Sequence, residues 1–203
     1  MRIIAGQWRG RTIFAPQGDT TRPTTDRVRE SLMSSLASAR GGFEGAIVLD
    51  AFAGSGALGL EALSRGASFA QFFERDGKAA KALQRNLESF GIGSDRASLM
   101  RRDVLAAPPI APREPFDLVL LDPPYAVDPE RIAAFLSQLD AAGALAPDVV
   151  VSYEHARSTD IMPIVETCFP QVRHFKHKEA GKVAFDVFGK DADDETSAHT
   201  GDF

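Results

Sequence analysis

The stretch Ala46-Ile47-Val48-Leu49-Asp50-Ala51-Phe52-Ala53-Gly54-Ser55-Gly56-Ala57-Leu58-Gly59 runs from an apolar strand through a glycine-rich turn into the start of a helix. Ala46–Ala51 is apolar except for one late carboxylate, as a strand buried on both faces requires. Gly54, Gly56 and Gly59 match G-x-G-x-x-G, a spacing that lets backbone approach a ligand closely and leaves free N–H groups at the helix start. Glu74 stands 20 residues after Gly54, at the end of the next apolar run, where its carboxylate can accept from both hydroxyls of a ribose. The pattern implies a ribose-bearing cofactor. By itself it leaves a nicotinamide dehydrogenase, a methyltransferase and a plain tight turn open.

Outward from this turn, apolar runs at Phe69–Glu74, Ala97–Arg101, Phe116–Asp122 and Val149–Glu154 predict strands, with weaker ones at Val172–Lys176 and Lys182–Phe188. Helical patterns at Ala57–Arg65, Asp76–Phe90 and Pro129–Ala141 separate the early strands. The alternation predicts an α/β fold with a doubly wound, mainly parallel, seven-stranded Rossmann-like sheet. Ligands of such sheets bind beyond the carboxyl ends of the strands, so strand-end residues are the ones to weigh. Before this core, Arg2-Ile3-Ile4-Ala5 and Arg11-Thr12-Ile13-Phe14 predict a β-hairpin, and Val28, Leu32 and Leu36 mark one amphipathic helix behind the N-cap candidates Thr24, Thr25 and Asp26.

The 203 residues, 44% hydrophobic and 25% charged, suit one main domain of ordinary globular composition. No stretch has the length of a membrane span and the start lacks a signal peptide, so a cytoplasmic location is expected. Cys168, the single cysteine, has no partner for an internal disulfide and is expected to be a buried thiol. His155, His174 and His177 lack a metal-ligand spacing and are expected at surface or strand positions, with no metal. The formal charge is −5, but Asp191, Asp193, Asp194, Glu195 and Asp202 stand in a terminal stretch, 191–203, with no Lys or Arg. That stretch is expected to be a disordered tail on a body with 23 acidic and 23 basic groups. The first 29 residues carry six arginines against two aspartates. Arginine forks suit phosphate oxygens, though a solvated basic face is an equal reading of the charge alone.

Two features favour a methyltransferase. Asp50 puts a carboxylate where a dinucleotide's pyrophosphate would be repelled and a methionine ammonium attracted. Asp122-Pro123-Pro124-Tyr125 ends another strand on the same edge; its prolines remove backbone donors and fix φ, leaving carbonyls, a carboxylate and an aromatic face as a rigid acceptor nest for an amino group.

With these motifs, with Arg2-Ile3-Ile4-Ala5-Gly6-Gln7-Trp8-Arg9-Gly10-Arg11 and with Arg22-Pro23-Thr24-Thr25-Asp26-Arg27, the chain over about residues 1–189 resembles the class I S-adenosylmethionine-dependent methyltransferases. Within them it is similar to the RsmD family, small-subunit (16S) ribosomal RNA guanine-N2 methyltransferases acting at guanine-966. The resemblance implies a hairpin-and-helix extension over 1–40 and a methyltransferase domain over 41–189, which leaves 190–203 as the acidic tail. It implies that Asp50, Phe52, Ala53, Gly54, Ser55 and Gly56 face the methionine part of the cofactor, Glu74 the ribose, and Asp103 and Val104 the adenine, with Thr25 folding over it or simply capping the helix. Asp122, Pro123, Pro124 and Tyr125 would be catalytic: Asp122 and the Pro123 carbonyl orient the amine, and Tyr125 stacks on the extruded base. Arg2, Arg9, Arg11 and Arg22 would contact RNA; Trp8 either stacks on a base or pins the hairpin, the second being favoured. The expected partner is 16S rRNA in an at least partly assembled small subunit, met by a monomer. The nearest alternative is an N6-adenine methyltransferase acting on DNA or RNA.

Overall fold

The computed structural model describes residues 1–15, 26–167, 169 and 171–190. Arg22, Thr24, Thr25, Cys168 and the acidic stretch 191–203, all assigned roles above, lie outside the described residues. The elements run α1 (Asp26–Arg40), β1 (Ile47–Asp50), α2 (Ala57–Ser64), β2 (Phe69–Phe73), α3 (Gly77–Phe90), β3 (Ala97–Met100), β4 (Phe116–Leu121), α4 (Pro129–Ala141), β5 (Leu145–Ala156), α5 (Met162–Val165), β6 (Val172–Ala180) and β7 (Val183–Lys190). The seven strands form one sheet in the order β3-β2-β1-β4-β5-β7-β6. β1 to β5 are mutually parallel and β7 runs antiparallel between β5 and β6. The expected doubly wound α/β sheet is present, and no helix among the described residues is long and apolar enough to cross a membrane.

Apolar positions divide between two layers. On one face Leu32, Met33 and Leu36 of α1 join Leu60 of α2, Leu83 and Leu87 of α3 and Val48, Leu118 and Val187 of the sheet. On the other, Ile132, Phe135 and Leu136 of α4 pack on Leu49, Val119 and Val151. Alternate strand residues thus feed opposite cores, as the pleat dictates. α3 starts where Asp76 accepts from the N–H groups of Lys78 and Ala79 at 2.9 and 2.8 Å, a side-chain N-cap.

β5 and β6 run beyond the apolar stretches Val149–Glu154 and Val172–Lys176 that predict them, and the single turn α5 has no counterpart among the predicted helices. β6 is mostly exposed and polar, so no apolar run announces its second half. Its pairing with β7, turned at Gly181 (φ 68°), supplies the hydrogen bonds that hold it extended.

The N-terminal hairpin is shorter than expected, a single antiparallel bridge between Arg2 and Thr12, and it adds no strand to the sheet. It is fastened to α2 by Glu61. That side chain is 0% exposed and accepts from the N–H groups of Ile4 (2.9 Å) and Ala5 (3.0 Å) and from Arg65 Nε (2.9 Å). The Gln7 and Trp8 N–H groups reach the Ser64 carbonyl and hydroxyl, and the Trp8 ring lies 5.1 Å from Phe90. Trp8 therefore packs, pinning the hairpin to the carboxyl ends of α2 and α3. Those helix ends lie at the amino ends of the strands.

Glu61→Ala leaves two half-buried backbone donors and a guanidinium without their acceptor and should lower unfolding free energy by roughly 3 kcal/mol. Arg65→Met, which removes one donor of the three, should cost less. Urea midpoints of the two variants check the order, and early proteolysis within residues 1–15 of Glu61→Ala checks that the hairpin detaches.

Candidate active site

β1 pairs with β2 on one side and β4 on the other, with Asp50 opposite Phe72 and Leu120, so the loops leaving these strands emerge together. They enclose a cleft of about 450 Å³ at the carboxyl edge of the sheet. Its wall is built by Phe52 and Gly54 of the glycine turn, Glu74 and Arg75 after β2, Arg102 to Leu105 after β3, Asp122 to Tyr125 after β4, Glu154 of β5 and Arg131 of α4. Of the residues assigned to cofactor or catalysis, Gly54, Glu74, Asp103, Asp122, Pro123 and Tyr125 come from four separate strand ends and meet here only through strand order.

The glycine turn has steric reasons for its composition. Gly56, the N-cap of α2, has φ +84°, and a Cβ there would also lie 2.3 Å from Leu83 Cδ1. At Gly59 a Cβ would lie 2.3 Å from the Phe72 ring, so glycine allows α2 to approach β2. The Gly54 N–H donates to Glu74 Oε2 at 2.8 Å, while Glu74 Oε1 accepts from the Asp76 N–H at 2.6 Å. Each carboxylate oxygen can accept more than one hydrogen bond, so Glu74 retains acceptor capacity toward the cleft it lines.

Asp50, Ala53, Ser55 and Gly56, expected to face the methionine part of a cofactor, are not among the residues that line the cleft. Asp50 is 2% exposed and does not line the cleft; its Oδ2 accepts from the Gly59 N–H at 2.9 Å, so it braces the turn from beneath. Ala53, Ser55 and Gly56 also lie behind the wall, where the Ala53 N–H bonds the Phe73 carbonyl and the Ser55 carbonyl accepts from Asn86. A sequence motif reports backbone conformation, and here most of its residues serve the turn itself. Asp103 lines the cleft with Oδ1 on the Leu105 N–H (3.0 Å) and Oδ2 3.2 Å from Arg75, and Val104 is buried beside it. Asp122 is exposed at the end of β4, Pro123 is buried, and Tyr125 is 53% exposed, an unusual amount for an aromatic ring beside a cleft. The Val127 N–H closes this loop on the Pro124 carbonyl at 2.9 Å.

Arg2, Trp8, Arg9 and Arg11 do not reach the cleft. Arg2 lies 3.7 Å from Asp26, and the Arg11 guanidinium sits 4.3 Å over Phe90 and bonds the Ser89 carbonyl. Among the described residues the cations that line the cleft are Arg75, Arg102 and Arg131, none of which is assigned a role from the sequence. Arg75 and Arg102 directly flank the strand-end acids Glu74 and Asp103, and that adjacency is the signal that could have found them. Glu154, buried near the end of β5, is likewise readable as a strand-end carboxylate.

Burial pushes the Asp50 carboxyl up to about 7, against the lowering effect of the Gly59 N–H, and the Glu74 charge raises it further. The unfolded chain releases this proton near the ordinary 3.8, so between these values the folded state binds more protons and stability falls as pH rises. Relative to Asp50→Asn, the native chain should lose up to about 1.4 kcal/mol per pH unit across roughly pH 4–7, then level off. Urea midpoints of both proteins across that range check this; a difference independent of pH would overturn it.

The chain matches the family described as Conserved hypothetical protein 95 over residues 1–189. It is 35% identical over 198 residues to Ribosomal RNA small subunit methyltransferase D of Escherichia coli, covering 98% of this chain and 94% of that one. Among solved structures, yhhF of Escherichia coli superposes with a TM-score of 0.76 at 34% identity, over 95% of this chain and 98% of the other. The T. thermophilus 16S rRNA N2 G1207 methyltransferase RsmC, solved with AdoMet and guanosine, shares the fold at a TM-score of 0.62 and 24% identity, over 84% of this chain and 44% of that one. With its glycine turn and its Asp-Pro-Pro-Tyr loop meeting in one cleft of a doubly wound sheet, the chain belongs to the Conserved hypothetical protein 95 family, the RsmD family that its motifs resemble.

Proposed function

We propose that this chain transfers a methyl group from S-adenosylmethionine to the exocyclic N2 of a guanine in small-subunit ribosomal RNA. The observation that carries the reading is that Asp122-Pro123-Pro124-Tyr125 and Gly54, Glu74 and Asp103 line the same 450 Å³ cleft. The methyltransferase D name of the Escherichia coli relative supports the RNA substrate.

The residues present fit the cofactor. A Cβ on Gly54 would meet nothing within 4 Å among the described residues beyond its chain neighbours, so that position keeps cleft space open. Glu74 would accept from the ribose hydroxyls, and Asp103 with the apolar wall of Val104 and Leu105 would hold the adenine. Bound there, S-adenosylmethionine supplies an electrophilic methyl group on a cationic sulfur.

A guanine amino group is a poor nucleophile because its lone pair is delocalised into the ring. Asp122 and the Pro123 carbonyl accept its two N–H bonds and turn that lone pair toward the methyl group, so orientation and electrostatics carry most of the acceleration. Asp122 also offsets the positive charge that develops on nitrogen, and either it or water takes the proton. Tyr125, already exposed, stacks on the extruded base. Arg75, Arg102 and Arg131 hold the flanking phosphates at the cleft mouth, whereas Arg2, Arg9 and Arg11 touch RNA backbone remote from the target nucleotide. The substrate is rRNA in an at least partly assembled small subunit, and the enzyme acts as a cytoplasmic monomer.

Methyl-labelled cofactor incubated with unmodified small subunits, protein-free small-subunit rRNA and duplex DNA should place label in N2-methylguanosine from the ribosomal samples. Label in N6-methyladenine would overturn the base assignment while keeping the cofactor. Asp122→Ala should abolish turnover and leave cofactor affinity in calorimetry nearly unchanged; loss of both would make Asp122 structural. Arg131→Ala should weaken RNA binding and reduce the slope of log affinity against log salt by about 0.7–0.9. An unchanged slope would remove Arg131 from the RNA interface.

A further inference from the structure

Three of the four histidines of this chain converge on one carboxylate at the β5–β7–β6 edge of the sheet, and none of them lines the cleft. Asp186 of β7 is 2% exposed. Its Oδ2 lies 2.7 Å from His155 Nε2, its Oδ1 2.7 Å from His174 Nε2, and both oxygens 3.1 Å from His177 Nδ1. The ladder brings them together: His177 is the β6 partner of Asp186, and His155 of β5 is the next residue on the same pleat face after Tyr153, the β5 partner of Asp186.

His155 decides what this cluster can do. Its Nδ1 is 2.9 Å from the Ala156 carbonyl, which can only accept, so Nδ1 carries the proton. In the neutral ring Nε2 is then a bare lone pair aimed at a buried carboxylate. A backbone carbonyl that fixes the tautomer so that the far nitrogen is offered as a ligand is the usual outer support of a metal-binding histidine. Two opposed lone-pair atoms at this distance need a cation between them, either a proton or a metal ion. The His174 and His177 rings can meet Asp186 as neutral N–H donors, whereas a metal ion would use all of these rings as ligands of one centre. The ligand atoms of His155, His177 and Asp186 all lie within 4.8 Å of one another. Metal–ligand bonds of about 2.0–2.2 Å in a tetrahedral site set neighbouring ligand atoms roughly 3.3 Å apart, so the contacts with Asp186 open by tenths of an ångström while the two imidazole nitrogens, within 4.8 Å of one another, close toward that spacing.

We infer that His155, His177 and Asp186, with His174 beside them, form a binding site for a divalent transition-metal ion of the zinc class. Two imidazoles and a carboxylate leave the fourth tetrahedral position to His174 or water. An open cavity of about 380 Å³, lined by His174, His177 and Asp186 together with Arg157 to Met162, gives the ion its path from solvent. The metal cross-links the three strands β5, β7 and β6, and it does so next in sequence to Glu154, which lines the cleft.

The test uses the full chain freed of metal by chelator and dialysis. Zinc titrated against a chromophoric chelator should bind at one equivalent per chain and raise the melting temperature, and cobalt should give the visible absorption of a low-coordinate nitrogen–oxygen site. His177→Ala, at a half-exposed ring that the fold tolerates, and His155→Ala should each weaken zinc binding by more than about tenfold and abolish the melting shift. Absence of zinc binding at micromolar concentration would overturn the inference. So would binding that survives both substitutions, which would assign the metal to His199 and the terminal acids.

Discussion

The lateral pairing of β1 with β4 is the constraint on which the site depends. The chain builds β1, β2 and β3 outward in one direction, then returns across the sheet to lay β4 against the free side of β1. Two loops that leave neighbouring parallel strands in opposite winding directions must part, and the gap between them is the cleft. Asp117 secures the joint at its amino end. Its Oδ1 accepts from the Ile47 N–H of β1 at 3.1 Å, and the Arg40 fork from α1 meets both of its oxygens at 3.1 Å. One side chain of β4 thus ties β1 and α1 to the same point, and the register of Asp50 against Leu120 follows.

The N-terminal segment is part of this arrangement rather than an appendage to it. Ile3 and Ile13 lie in the same core as α1, α2 and the sheet, and Glu61 holds the backbone between them. At the other end of the segment Asn86 of α3, fully buried, accepts from the Phe14 N–H and donates to the carbonyls of Phe14 and of Ser55 in the glycine turn. The segment therefore spans the helical face from the amino ends of the strands to the glycine turn. The tip that carries Trp8 and Arg9 stays at the far end from the cleft.

Carboxylates in and around the cleft divide their work by burial. Asp50, cut off from water, braces α2 through Gly59 and carries a raised pKa as the cost of that position. Glu74 and Asp103, half-buried, have part of their acceptor capacity taken by backbone N–H groups, which fixes their orientation before any ligand arrives. Asp122, beyond the last hydrogen-bonded residue of β4, sits on a loop stiffened by two prolines. Identical functional groups on adjacent strand ends thus become a buried brace, two half-buried acceptors in the cleft wall and an exposed acceptor on a stiff loop.

Much of this is legible in the order of residues. Apolar runs and helical periods place the strands and helices, because each depends on neighbours a few positions away, and the glycine turn and Asp-Pro-Pro-Tyr announce themselves because they are local backbone conformations. What cannot be read is whatever depends on residues distant in the chain. The second half of β6 is polar and exists as a strand because β7 pairs with it; Asp50 reads as one more strand-end carboxylate, and its burial and its bond to the Gly59 N–H come only from α2 lying over it; the arginines of the cleft are ordinary surface cations until strand order brings their loops to one edge. The histidines make the same point. Residues 155, 174 and 177 have no ligand spacing along the chain, and they meet only because an antiparallel ladder sets three strands side by side, with Asp186 between them. Local chemistry is written in sequence neighbours, whereas burial, adjacency and the choice of which carboxylate faces solvent arise when long-range strand pairing selects their surroundings.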